Sequence, residues 1–129
     1  DARWIAYASD ESGRSEVYAR AFPDLGSKIQ ISLTGGQEPV WSPDGGEIVY
    51  RSVTSREFMG VKVEGKGALA VAPPRVLASD LGLSRGDLDH THYAVARDGR
   101  ILTVQATPSD AKVELGFVLG WAQSAGLIK

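Results

Sequence analysis

Short stretches in which apolar and polar residues alternate recur along the chain, separated by Gly, Pro, Asp and Ser. Apolar side chains at every second position are typical of β-strands, because successive side chains of a strand point to opposite faces. Helical spacing is nearly absent, apart from a weak indication of a helical turn in residues 121–129. The pattern predicts an all-β protein with strands over residues 4–9, 16–22, 28–32, 40–42, 47–53, 58–64, 75–78, 90–96, 100–106 and 113–120.

One part of this pattern occurs three times. DARWIAY at residues 1–7 aligns with DGGEIVY at residues 44–50, with an offset of 48 − 5 = 43 residues. DGRIL at residues 98–102 is a third copy, 101 − 48 = 53 residues later, and the long polar loop 79–89 accounts for the excess. A repeat of about 40–45 residues made of four short strands is typical of a β-propeller blade.

The repeats predict one propeller segment over residues 1–129. With the strands of a blade named a to d from the axis outward, residues 1–34 supply strands b–d, 35–79 strands a–d and 88–120 strands a–c, with a tail at 121–129. This is a partial β-propeller of two to three four-stranded antiparallel blades, about half of a six-bladed ring. Either a second chain completes the ring, or the chain is one part of a longer propeller.

The sequences of the repeats also resemble a known family. EPVWSPDGGEIVY at residues 38–50 and YASDESGRSEVYARAFP at residues 7–23 resemble the repeat of TolB-like β-propellers, and are most similar to propeller regions that follow bacterial serine/threonine kinases. Ala2 departs from the usual turn glycine, and the third copy lacks Trp-Ser-Pro. The resemblance implies a non-catalytic module for protein–protein interaction or ligand sensing, and slightly favours a bacterial periplasmic or extracytoplasmic location, although the compartment stays unknown.

Two other functions remain open. WSPDG repeats also occur in the propellers of prolyl-oligopeptidase-type hydrolases, where the propeller would gate a separate hydrolase domain. The chain could also be a self-assembling fragment without other activity. No glycine-rich phosphate loop, kinase catalytic-loop motif or G-x-S-x-G nucleophile motif is present in the sequence.

Composition narrows the set of partners. The net charge is -2 and the pI is about 5.6, which argues against nucleic acid or an anionic membrane surface. There are no cysteines, so disulfides and thiolate metal sites are excluded. No apolar run approaches the roughly 18 residues of a membrane helix. The chain begins with Asp1 rather than Met and has no signal peptide, so we expect a processed product or part of a longer chain.

The Ser-Pro-Asp-Gly sequence within the repeat is predicted to be a turn rather than a catalytic site. A serine nucleophile needs a base and an oxyanion site, whereas proline fixes φ and Asp-Gly suits a tight turn. We therefore predict no catalytic residue and no cofactor. The predicted structural motif consists of Trp41, Ser42, Pro43, Asp44, Gly45, Asp98 and Gly99, with the tryptophan packing between blades.

His90 and His92 are the candidates for a metal site. Residues two apart on a strand share a face, and Asp89 lies beside them, so two imidazoles and a carboxylate could bind zinc. Hydrogen-bonded or solvated histidines are the alternative, and we predict no metal. The mixed charges of residues 10–16, which include Glu16, predict a solvated hairpin rather than a calcium loop.

Partners are predicted at the loops and at the sheet edges. In a propeller, residues 10–15, 35–37, 54–57 and 80–89 would lie on one face, and the longest loop, 79–89, is the best candidate for contact with another protein. Unpaired edges of the first and last blades predict self-association that closes the ring. No nucleic acid and no membrane insertion are expected.

Overall fold

The computed structural model describes residues 3–65, 68–79, 91–105 and 114–118, with only the backbone of residues 104, 105 and 114–118. These residues form β-strands and no helix, which confirms the predicted all-β class for this part of the chain. No helix long and apolar enough to cross a membrane occurs among them. The strands are β1 (Trp4–Ser9), β2 (Glu16–Ala21), β3 (Lys28–Gln30), β4 (Gln37–Trp41), β5 (Glu47–Arg51), β6 (Glu57–Glu64), β7 (Ala70–Val71), β8 (Arg75–Ser79), β9 (Tyr93–Val95), β10 (Ile101–Gln105) and β11 (Glu114–Val118).

The strands form three antiparallel sheets that follow the order of the chain. The first sheet is β1-β2-β3, and the third is β9-β10-β11. In the second sheet β4, β5 and β6 pair in order, and β7 and β8 both pair with β6. Consecutive strands can pair in this way because short turns connect them. Within the described residues, no sheet closes on itself.

Each of the ten predicted strands overlaps an observed one, but some bounds differ, since β3 ends at Gln30 rather than at residue 32 and β5 ends at Arg51 rather than at residue 53. The two-residue strand β7 was not predicted, because it is too short to show alternation. Strand β4 begins at Gln37 rather than at residue 40, and its pairing with β5 shifts register after Gln37. The next residue, Glu38, has a φ of 53°, so a bulge interrupts the alternation there. The predictions for residues 80–90 and 119–129 lie outside the described residues.

The described residues form two apolar core clusters, one on each face of the second sheet. Strand β5 shows why, since Ile48 and Tyr50 point to one face and Val49 points to the other. The first cluster joins the first and second sheets, and its best-buried members are Val17, Ala19, Ile31, Ile48, Tyr50 and Val61. The second joins the second and third sheets through Val49, Phe58, Leu77, Tyr93 and Ile101. Burial of each of the larger side chains contributes about 1.5–3 kcal/mol to the stability of the folded state.

A glycine in β6 makes room for a charged pair within the second sheet. Glu47, at the start of β5, accepts a hydrogen bond from Arg75 of β8 at 2.7 Å. Gly60 lies between these strands, where a Cβ atom would overlap the Glu47 carboxylate and lie 2.9 Å from both methyl groups of Leu77. A larger residue at position 60 would therefore have to displace the Glu47 carboxylate and the end of the Leu77 side chain.

Candidate functional site

The Ser-Pro-Asp-Gly segment forms the turn between β4 and β5. Gly45 donates its N–H to the carbonyl of Ser42 at 2.8 Å and has a φ of 73°, which favours glycine. The Ser42 hydroxyl donates to Oδ1 of Asp44 at 2.6 Å and accepts the N–H of Glu47 at 2.9 Å. The Gly46 N–H also binds Asp44, at 3.0 Å. Hydrogen bonds from Ser42 and Gly46 lower the pKa of Asp44 below its ordinary 3.8.

The third repeat forms a similar turn without serine. Gly99, with a φ of 80°, donates its N–H to the carbonyl of Ala96 at 3.0 Å. Asp98 accepts the N–H of Arg100 at 3.2 Å and its Nε at 2.7 Å. In both turns the aspartate therefore accepts the N–H of the residue two positions later, and the glycine adopts the positive φ. Turn geometry accounts for the Ser42 hydroxyl, whose hydrogen-bond partners among the described residues are Asp44 and Glu47.

A polar junction connects the second and third sheets. The carboxylate of Glu38 binds Nη1 of Arg51 at 3.0 Å, and the two side chains are only 11% and 8% exposed. Its other oxygen accepts the N–H of His92 at 3.2 Å. The Tyr93 hydroxyl lies 2.6 Å from the carbonyl oxygen of Glu38 and 2.9 Å from that of Val49. Burial raises the pKa of Tyr93 well above 10.0, so the hydroxyl keeps its proton and can donate.

The polar junction includes His92, one of the three candidate metal ligands. His92 lies immediately before β9. Its Nδ1 atom is buried and has no hydrogen-bond partner in the described part of the chain. His90 and Asp89 lie outside the described residues, so the arrangement of the three stays a prediction. Among residues 3–65, 68–79, 91–105 and 114–118, no group of three or more His, Asp or Glu side chains could hold a metal ion.

Glu16 was expected in a solvated hairpin, and this expectation is wrong. Its side chain is fully buried at the start of β2. The carboxylate accepts the Gly35 N–H at 3.0 and 3.1 Å, the Ser32 hydroxyl, and Nε of Arg14 at 2.5 Å. Burial raises the pKa of Glu16, but these hydrogen bonds outweigh it and leave the pKa below 4.5. Local sequence could not reveal this, because Ser32 and Gly35 are 16 and 19 residues away.

Three loops meet at one end of the sheets. Ser15 and Gly36 exchange two hydrogen bonds of 2.9 Å, which join the β1–β2 loop to the segment between β3 and β4. The hydroxyl of Thr54, in the β5–β6 loop, donates to the carbonyl of Thr34 at 2.7 Å. These loops were predicted to share one face, and the hydrogen bonds place them together. The fourth loop, 79–89, falls almost entirely outside the described residues.

A cleft of about 390 Å³ lies at the opposite end, between the first two sheets. It is formed where β1 begins, where β4 turns into β5 and where β6 ends. Sequence reasoning did not identify it, because its residues come from three separate parts of the chain. They are Arg3, Trp4, Trp41, Ser42, Pro43, Asp44, Gly45, Val63, Glu64, Gly65 and Leu69.

Comparison with known proteins finds no matching family model, no matching curated protein and no matching solved structure. The functional argument therefore depends on the residues and the geometry described above.

Proposed function

We propose that the chain is a three-blade section of a β-propeller that serves as a non-catalytic binding module. The observation that carries this proposal is the arrangement of the three sheets. The second sheet packs one face on the first and the other on the third, and β4 contacts both β1 and β9. Blades of a propeller stack face to face around an axis in this way.

The end at which three loops meet is the proposed contact surface for another protein. Loops held by a rigid scaffold commonly carry recognition, and here hydrogen bonds between the loops limit their freedom. Two apolar side chains are exposed at this end, Leu33 at 61% and Val53 at 42%. In the proposed contact these two side chains would supply apolar area beside the polar groups of the loops.

A photo-crosslinking residue placed at two positions tests this surface. At position 33 it lies at the loop end, and at position 43 it lies in the turn at the other end. We expect a partner protein from a bacterial extract to crosslink at position 33 and not at position 43. Equal crosslinking at both positions, or crosslinking at position 43 alone, would contradict a binding surface at the loops.

We further propose that a second copy of the chain covers the open edge of the first sheet. Strand β1 pairs with β2, and no strand among the described residues pairs with its other edge. The Phe22 N–H donates to the carbonyl of Arg3, so Arg3 and Phe22 form a hydrogen-bonded pair at the end of the β1–β2 ladder. From there, hydrogen-bonded and non-hydrogen-bonded pairs alternate along the two strands. By that alternation the N–H of Ala8 points away from β2. Open edges favour pairing with another chain, and a two-fold dimer is the simplest closed arrangement.

Light scattering with an edge variant tests this association. We expect a mass of about twice 13.7 kDa for the protein. Ala8→Pro removes an outward N–H without removing a β1–β2 hydrogen bond, so it should yield a monomer. Ala8→Ser keeps the N–H and should remain a dimer. A monomeric parent protein would refute closure by a second copy and would favour closure by further blades of a longer chain.

A further inference from the structure

The cleft opposite the loops combines aromatic walls with a polar rim. Trp4 and Trp41, from the first and second sheets, both line it and are half-buried. Val63 and Leu69 also line it and belong to the buried core, so apolar side chains and polar groups share the lining of the cleft. Its volume of about 390 Å³ falls within the range of small-molecule sites, about 300–1,000 Å³.

The charged groups of the cleft favour a positively charged occupant. Its described lining carries two carboxylates, Asp44 and Glu64, and one guanidinium group, Arg3, which gives a formal charge of −1. Asp44 and Glu64 are both exposed, so their charges face solvent and any entering ligand. The lowered pKa of Asp44 keeps it ionised at neutral pH.

The carboxylate of Asp44 is also held in place before any ligand arrives. Its Oδ1 atom accepts the Ser42 hydroxyl at 2.6 Å and the Gly46 N–H at 3.0 Å, and the turn itself is closed by a backbone hydrogen bond. These bonds go to one oxygen, so Oδ2 remains able to accept from a ligand. A group that is already ordered loses little entropy on binding, which increases affinity.

We propose that this cleft binds a small organic cation of the alkylammonium or guanidinium class between Trp4 and Trp41. Tryptophan provides the most favourable aromatic face for a cation, and the rim carboxylates provide the opposite charge. The alkyl groups that surround such a charge can contact the apolar side chains of the lining, such as Val63 and Leu69. This inference does not depend on the propeller proposal, because it uses only the geometry of the first two sheets.

The test compares a cation with an uncharged molecule of the same shape. The protein is titrated with choline and with 3,3-dimethylbutan-1-ol, its neutral carbon isostere, while the indole N–H signals of Trp4 and Trp41 are followed by NMR. We expect saturable shifts with choline and at least about fivefold weaker binding of the isostere. Equal affinity for the two molecules, or no saturable shift with choline, would overturn the proposal.

Variants that each remove one carboxylate test whether the cation binds in the cleft. Asp44→Asn and Glu64→Gln should each weaken choline binding by about threefold or more. Asparagine is tolerated in the same turn, and Glu64 is exposed, so both variants should keep the fold. Asp98→Asn is the matched control, because it changes the equivalent turn of the third sheet, away from the cleft, and should not alter binding. Unchanged affinity in both Asp44→Asn and Glu64→Gln, or an equal loss in Asp98→Asn, would refute the assignment.

Discussion

We expect the buried carboxylate of Glu16 to stabilise the contact between the first sheet and the loop that leads to β4. It accepts hydrogen bonds from the Gly35 N–H and the Ser32 hydroxyl, and that hydroxyl in turn accepts the N–H of Val17 at 2.7 Å. Glu16→Gln keeps the shape but places an NH₂ group against donors. One unsatisfied buried donor costs about 1–3 kcal/mol, and the loss of charge-assisted hydrogen bonds adds about 1 kcal/mol. We therefore expect a loss of about 2–4 kcal/mol in the free energy of unfolding.

The pH dependence provides a second measure of the same interaction. The pKa of Glu16 is lower in the folded protein than its ordinary 4.5, so the folded state disfavours the proton. The stabilisation is therefore complete above the unfolded pKa and is lost as the pH falls through the folded pKa. Glu16→Gln cannot lose a charge, so the difference between the two proteins should be largest at neutral pH and should narrow below about pH 4.

Urea unfolding at several pH values, followed by circular dichroism, measures both effects. Glu11→Gln is the control, since Glu11 forms an exposed ion pair with Lys28 and should change stability by less than about 0.5 kcal/mol. Amide exchange at Gly35 should accelerate in Glu16→Gln and not in the control. A loss below about 0.5 kcal/mol in Glu16→Gln, with a pH dependence equal to that of the parent protein, would refute this stabilising role.

Three further predictions concern the junction and the glycines, and urea unfolding measures each of them. Tyr93→Phe removes the hydroxyl that lies between the carbonyl groups of Glu38 and Val49 and should cost about 1–3 kcal/mol, whereas an unchanged stability would mean that this hydrogen bond is unimportant. Gly60→Ala should cost about 1–3 kcal/mol through overlap with a carboxylate and leucine methyl groups, while Gly26→Ala, with nothing within 4 Å, should be nearly neutral. Gly45→Ala should cost about 1 kcal/mol because of its φ of 73°, and Gly46→Ala should cost less; equal effects would contradict the turn assignment.

Much of the local structure could be predicted from the sequence because its causes are local. Alternation along Glu47–Arg51 places Ile48 and Val49 on opposite faces, and the Asp-Gly pairs of the second and third repeats each close a turn through a bond within four residues. The bulge at Glu38 was missed because a non-glycine residue with a positive φ has no signal of its own in the sequence.

The sites required contacts between distant parts of the chain. Glu16 resembles any charged hairpin residue until Ser32 and Gly35 surround it, and Glu38 shows its role only beside Arg51 and His92. The same holds for the cleft, which exists only because β1, the β4–β5 turn and the end of β6 meet. The sequence by itself determined the strands, the turns and the repeat, because backbone preference and alternation act over a few residues. The tertiary structure alone decided which charges are buried and where a cavity forms, because burial depends on which sheets pack together.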